Sequence, residues 1–536
     1  TYYDSSRNME ITGLNCVFRS KAATKQTGDI LYPFGFEDKA ATTKTRPSGI
    51  TDGIFYDAND PTKVTVSLYV APSKSGVTAK NVYIMCDANN WNLNNDYQCY
   101  KDGNYFWYTF TGLTAGKEYA FQYGVKMSNG SFVQMSDPYS TKVLHGDDQW
   151  EPKKVDPTLM DYPNGGSGYV TVIQPGKKAF AWSDATKNFK RPDKNNLVIY
   201  EVWPYIFASE RSFKALRSRL DYFENLGVNA IEFMPLCEFD GNLSWGYAPN
   251  HYFALDKAYG SEEDFKTLVD ECHKRGIAVI VDMVYNHATG SHPWAKMWWD
   301  SASNCTADNN PWFNKVAKHE FNVFHDMNHE NPMVKEMVKG SLEYLLTEYD
   351  VDGFRFDLTK GFTQKNTLGD VGAWGRYDQS RVDILKGYAD HIWSVNEDAV
   401  VIFEHLSDWD EEKVLAEHGM QLWRNVNHEY RSAVTGGTGN FSNMYSTSPF
   451  GGFVGYMESH DEERLCYGAS GSTSGNWGIC GTMTGWSSDL AMAADGPFVV
   501  ARNVSFSADD EFKLRFAGDW GKNYGTASKG YKLPLE

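Results

Sequence analysis

Four apolar, β-branched runs, each running straight into an acid-bearing motif, govern what this chain can fold into. Ile277-Ala-Val-Ile-Val281 leads into Asp282-Met-Val-Tyr-Asn286-His287, and Val351-Asp-Gly-Phe354 runs into Gly353-Phe-Arg355-Phe-Asp357. Val400-Val-Ile-Phe403 leads into Glu404-His405, and Phe453-Val-Gly-Tyr-Met457 into Glu458-Ser-His460-Asp461. Apolar runs of this length, separated by helix-like stretches, read as parallel strands of an α/β fold. An α/β barrel keeps its chemistry just past the carboxyl ends of such strands. One strand-end acid alone reads as a cap or a salt-bridge partner; an ordered set reads as a site.

The remaining pattern fits a chain of several domains, as 536 residues require. Residues 1–50 are polar and aperiodic, a leader or the remnant of a preceding module. Residues 51–150 carry short alternating runs such as Val64–Val70 and turn clusters such as Asp87–Asn92, the spacing of a small β-sandwich. Residues 151–195, rich in Pro, Gly, Lys and Asp, read as a linker. The barrel, residues 196–467, begins at Leu197–Trp203 and alternates strands with helices at Ser212–Leu226, Ser261–Arg275 and Pro332–Tyr349. Glycines at 227 and 276 give the expected helix stops. Strands near Ala230–Met234 and Gln421–Val426 bring the count to seven. No eighth follows, because after Asp461 the chain enters Gly468–Gly475, a linker by composition. Residues 476–528 alternate like another small β module. The expected class is therefore α/β, a (β/α)8-type barrel lacking its last strand–helix unit and flanked by small β-sandwich modules.

Charge narrows the partners. With 51 Lys and Arg against 69 Asp and Glu, the net charge of −18 argues against nucleic acid or anionic lipid as partner, since both need a basic surface. No apolar run is long enough to span a membrane. The 17 Trp, 32 Tyr and 31 Phe suit a partner with flat CH faces, and sugars fit. The eight cysteines form no C-x-x-C pair, which argues against zinc and leaves one or two bridges open. The chain starts Thr1-Tyr-Tyr-Asp with no basic-then-apolar leader, so it reads as cytoplasmic or already processed.

Over residues 195–465 these motifs resemble the α-amylase family, glycoside hydrolase family 13. Two further segments strengthen the likeness, Gly227–Pro235 and the loop Ser244-Trp-Gly-Tyr247-Ala-Pro-Asn-His-Tyr252. The resemblance implies Asp357 as nucleophile, Glu404 as general acid/base and Asp461 as the third acid that grips the sugar. It implies Arg355 as the cation holding the nucleophile ionised, Asp282 as a structural acid and Tyr247 as an aromatic platform. His287 and His460 match histidines that bind sugar hydroxyls. Asn286 matches a calcium ligand; the rest of that site cannot be located, so Ca2+ is tied to this one residue and no other cofactor is expected. Retaining cleavage needs a nucleophilic carboxylate and a protonated partner about 5–5.5 Å away. A raised pKa is accordingly expected for Glu404, while His405 and Asp408 read as local structure. One departure is Lys360-Gly361, where the family often has Lys-His, so one acceptor-side contact is absent.

The flanks carry their own resemblances. Residues 51–145 resemble a family-48-type carbohydrate-binding module, with Trp91 a candidate starch contact. Residues 476–528 resemble starch-binding modules of surface starch-utilisation lipoproteins, through Trp477, Trp486 and Trp520. The leading expectation is a retaining hydrolase of α-1,4 bonds in starch, glycogen or maltooligosaccharides. An α-1,6-active pullulanase-like enzyme, a branching transferase and a non-catalytic starch binder are the alternatives. A secreted or surface location follows from the C-terminal module, with a cytoplasmic glycogen enzyme the alternative.

Overall fold

A computed structural model describes residues 13–21, 30–33, 36–434, 437–444, 451–465, 477–495, 498–507 and 510–524. The expected linker at Gly468–Gly475 lies outside these residues, as do most of 1–29 and the end of the 476–528 segment. The chain divides into two compact units: Thr1–Trp423 with Ser448–Val454, and Arg424–Thr447 with Gly455–Glu536.

The apolar runs form one sheet of seven strands, ordered as they occur in the chain. They are β1 (Ile199–Val202), β2 (Ala230–Phe233), β3 (Ala278–Met283), β4 (Gly353–Phe356), β5 (Val400–Phe403), β6 (Gln421–Asn425) and β7 (Phe453–Tyr456). Pairing from β1 to β6 is parallel throughout. β2 to β5 are buried on both faces, which is why they read as continuous apolar runs rather than alternating ones. Helices Glu262–Lys274, Pro332–Tyr349 and Gln379–Val395 connect them, as parallel pairing demands. The first of these starts with a capping box between Ser261 and Asp264, with Glu262 and Glu263 beside the positive end of its dipole. The helix expected over Ser212–Leu226 is two pieces, Phe213–Arg217 and Leu220–Asn225. The break lies at Ser218, whose hydroxyl donates back to the Ala215 carbonyl. Among the described residues the sheet has no eighth strand.

The N-terminal strands form two facing antiparallel sheets. One holds Gly53–Tyr56, Val64–Tyr69, Tyr105–Phe110 and Tyr100–Asp102; the other holds Ala79–Cys86, Tyr119–Met127, Phe132–Met135, Val143–Leu144 and Val170–Ile173. Val170–Ile173 falls inside the stretch read as a linker, yet it is wholly buried and pairs with Tyr119–Phe121. Composition hid it, since only the four-residue run Val-Thr-Val-Ile stands between Gly-rich and Pro-Gly segments. Buried residues of the sandwich and of the parallel sheet form one continuous apolar cluster. Polar ties cross the same junction: Ser136 Oγ lies 2.8 Å from His251 Nε2, and Tyr169 Oη donates to the Phe239 carbonyl at 3.0 Å.

In the second unit, Leu490–Ala491, Trp477–Gly481, Phe512–Phe516 and Asp519–Tyr524 form a four-stranded antiparallel sheet. The described cysteines are free thiols.

Candidate active site

Adjacent parallel strands in register put Asp282, the fifth residue of β3, beside Arg355 of β4. Arg355 is fully buried, and its guanidinium is the centre of the site. Nη1 donates to both Asp282 oxygens at 2.9 and 2.7 Å and reaches Asp357 Oδ1 at 3.3 Å; Nη2 donates to Glu404 Oε2 at 2.7 Å. The Trp423 ring of β6 lies against the other side of the cation, its centroid 4.1 Å from Cζ. Burial opposes the charge, but Asp282 and Glu404 outweigh it and hold Arg355 well above its ordinary pKa. One cation thus gathers three carboxylates from the carboxyl ends of three neighbouring strands.

Each acid has further partners. Tyr247 Oη donates to Asp282 Oδ2 at 2.6 Å. Burial, and then the Asp282 charge, raise the Tyr247 phenol well above its usual range, so it stays a donor. Tyr247 stands in the turn between Cys237–Phe239 and Pro249–Leu255. Gly246 before it has φ +100°, and a Cβ there would run into the Pro235 carbonyl oxygen. Glu404 Oε2 also accepts from the Leu358 N–H at 3.1 Å, and the Glu404 carbonyl accepts from Thr359 N and Oγ1, both at 3.0 Å. His405 lies between Thr359 and Glu411, and Arg381 pairs with that same Glu411 at 2.6 Å. Burial pulls His405 down to about 4. This neutral imidazole sits behind the acid in the protein interior, as support.

His287 is drawn down by burial to about 4. Its Nε2–H donates to the Tyr247 carbonyl at 3.0 Å, and Nδ1 accepts from Asn286 Nδ2 at 3.1 Å. Both ring nitrogens therefore have protein partners, and the ring braces the Tyr247 turn. Asn286 Nδ2 also reaches Asn322 Oδ1 at 2.9 Å, while Asn286 Oδ1 is buried without a partner. Calcium takes six to eight oxygen ligands. Asn286 offers one, and among the described residues no three His, Cys, Asp or Glu side chains converge as metal ligands.

His460 and Asp461 belong to the second unit, where His460 Nε2 lies 3.5 Å from Asp461 Oδ2 and the Asp461 side chain is exposed. Trp486 and Trp520 form a ring pair there, centroids 6.1 Å apart, with Trp520 half-exposed and Arg515 over its face at 4.4 Å. Trp477 packs edge-on against Phe516. Trp91, by contrast, is buried in the sandwich, its Nε1 donating to Asp87 Oδ1 at 2.7 Å. It is core, and a buried indole with no exposed face offers a sugar no platform.

Three features of the site escaped the sequence. Trp423 sits in a strand recognised only by its apolar residues. Glu232 of β2 is buried in register beside Glu201, and burial with that neighbour lifts it well above the carboxylate range. Phe321 and Phe324 stand on a long excursion after β3, and no periodicity marks them.

The fold and this strand-end cluster define an α/β protein of barrel type with a carboxylate site. A family model described as the alpha-amylase catalytic domain matches residues 186–320. The match includes Tyr247, Asp282, Asn286 and His287; Asp357 and Glu404 lie beyond it. The malto-oligosyltrehalose trehalohydrolase of Saccharolobus solfataricus is 32% identical over 245 residues, 45% of this chain and 40% of that protein. The chloroplastic isoamylase SU1 of Zea mays is 32% identical over 214 residues, 34% of this chain and 27% of that protein. The chain spans less than half the length of each. The fold is shared with the Group B Streptococcus pullulanase SAP, at TM-score 0.54 and 20% identity, covering 84% of this chain and 63% of that one. A second structure of that pullulanase is a complex with maltotetraose. Among the described residues no helix is long and apolar enough to cross a membrane.

Proposed function

We propose that this chain cleaves α-glucosidic bonds of starch- or glycogen-type glucans with retention, through a covalent glucosyl–Asp357 intermediate. The observation that carries the reading is the single buried guanidinium of Arg355 in contact with Asp282, Asp357 and Glu404. Arg355 reaches Asp357 at 3.3 Å, against 2.7 Å for Asp282 and Glu404, and the Asp357 side chain keeps some exposure, as a nucleophile must. Glu404 accepts two hydrogen bonds on Oε2, which leaves Oε1 to carry the proton delivered to the leaving oxygen. Microscopic reversibility then makes Glu404 the base that activates water against the intermediate. Asp461 is assigned the third acid by its motif, with His460 its neighbour. Tyr247 and His287 are positioning residues for Asp282 and for the turn beside it, and Trp486 with Trp520 supplies a sugar-binding face on the second unit.

α-1,4 cleavage is the first reading. The isoamylase and pullulanases among the similar proteins favour α-1,6 as the second. Incubation with amylose and, separately, pullulan decides between them, following reducing ends and iodine colour. Rising reducing ends identify hydrolysis, and the preferred polymer names the bond. Falling colour without new reducing ends identifies a branching transferase. Undiminished turnover in Asp357→Asn sinks the assignment of the nucleophile.

A further inference from the structure

Residues 318–325 form a loop that is tied down on three sides yet holds two large aromatic rings in solvent. Asn322 Oδ1 takes the Asn286 amide. His319 is buried and stacked on Trp374, ring centroids 5.0 Å apart and planes 11° from parallel. The Lys318 carbonyl accepts from Thr367 N at 2.7 Å, and Glu320 Oε1 accepts from Gly369 N at 2.5 Å. Room for this approach comes from Gly361: a Cβ there would run into Asn286 Oδ1 and His319 Nε2. The glycine that marks a missing acceptor-side residue is thus the opening through which the loop packs.

On this fixed loop Phe321 is 70% and Phe324 53% exposed. Both adopt left-handed backbone, φ +58° and +52°, which is costly for a bulky side chain. Strain of this kind persists where surrounding contacts enforce it, and it clusters at ligand clamps. Each ring lies against a residue that supports the acid cluster from behind. Phe324 lies 5.7 Å from the ring of His287, which braces the Tyr247 turn. Phe321 lies 6.0 Å from Trp374, whose Nε1 donates to the Lys360 carbonyl three residues past Asp357.

We propose that Phe321 and Phe324 are a sugar-stacking platform for the glucose units adjoining the scissile bond, a specificity element resting on the glucan reading above. Glucose presents flat CH faces that an aromatic ring covers without needing a hydrogen bond, and a fixed loop offers them with little ordering entropy.

The test is calorimetric titration of maltohexaose into the full chain carrying Asp357→Asn, so that nothing turns over, and Trp486→Ala with Trp520→Ala, so that the second unit adds no sugar binding. Replacing both phenylalanines with Leu keeps apolarity but removes the flat faces, and affinity is expected to fall about tenfold. Replacing both with Trp restores it to within about twofold and shows that the loop tolerates substitution. Equal affinity for the Leu pair and its parent overturns the platform, as does a Trp pair as weak as the Leu pair, or a parent that binds no maltohexaose. A chain with Asp357 intact that shows this affinity pattern but hydrolyses no α-glucan refutes the hydrolase reading and leaves the platform standing.

Discussion

The acids gathered by Arg355 are not equivalent, and substitutions should separate them. Asp282 is 1% exposed and takes two short hydrogen bonds from the cation, whereas Asp357 is 14% exposed and takes one long one. Arg355→Leu strands a buried carboxylate and should cost about 3–5 kcal/mol of stability along with activity. Asp357→Asn removes only the carboxylate proposed as nucleophile, so turnover should vanish while the melting temperature moves little or rises. Thermal melts and maltohexaose turnover on the two variants check this; equal loss of stability in both would refute it. The sequence foretold Arg355 as a partner of Asp357, because two residues along a strand share a face. Its closer bonds to Asp282 and Glu404 come from neighbouring strands, a cross-strand relation that residue spacing along the chain does not encode. His287 shows the same limit, since its motif marks the residue but not the carbonyl and amide that occupy its nitrogens.

At the scale of elements, the Tyr247 turn is the part most dependent on one small residue. Gly246→Ala puts a side chain into left-handed backbone and against the Pro235 carbonyl, so the turn must shift and take the Tyr247 hydroxyl off Asp282. A displacement near 1 Å in such a site lowers turnover about 100-fold. A variant that keeps maltohexaose turnover within about twofold of the parent would remove the turn from the mechanism. β2 to β5 and the helix Pro332–Tyr349 were legible because burial on both faces, or a clear helical period, is written locally. The helix break at Ser218, the strand Val170–Ile173 and the loop at 318–325 were not, because each depends on a partner far along the chain or on one side-chain hydrogen bond.

For the molecule as a whole, the sandwich supplies a measurable pH response. Burial lifts Asp137 to about 7, and the Tyr139 N–H and Tyr123 hydroxyl that it accepts do not bring it back. Its folded pKa therefore lies above the unfolded value near 3.8. The stability it contributes is complete below about pH 4 and is lost as pH rises through 7. Relative to Asp137→Asn, the parent should lose about 4 kcal/mol between pH 4 and 7 and nothing further above. Denaturant midpoints across that range check it, and a pH-independent difference would show that Asp137 ionises normally.

The apolar cluster running unbroken from the sandwich into the parallel sheet has one more consequence. A chain beginning at residue 196 would leave part of that core uncovered, with Phe253 and His251 stripped of Tyr139, Tyr169 and Ser136. The sandwich is thus a fixed buttress and not a detachable cassette. A protease nick between 174 and 195 should leave two fragments that co-elute in native buffer and part only in denaturant.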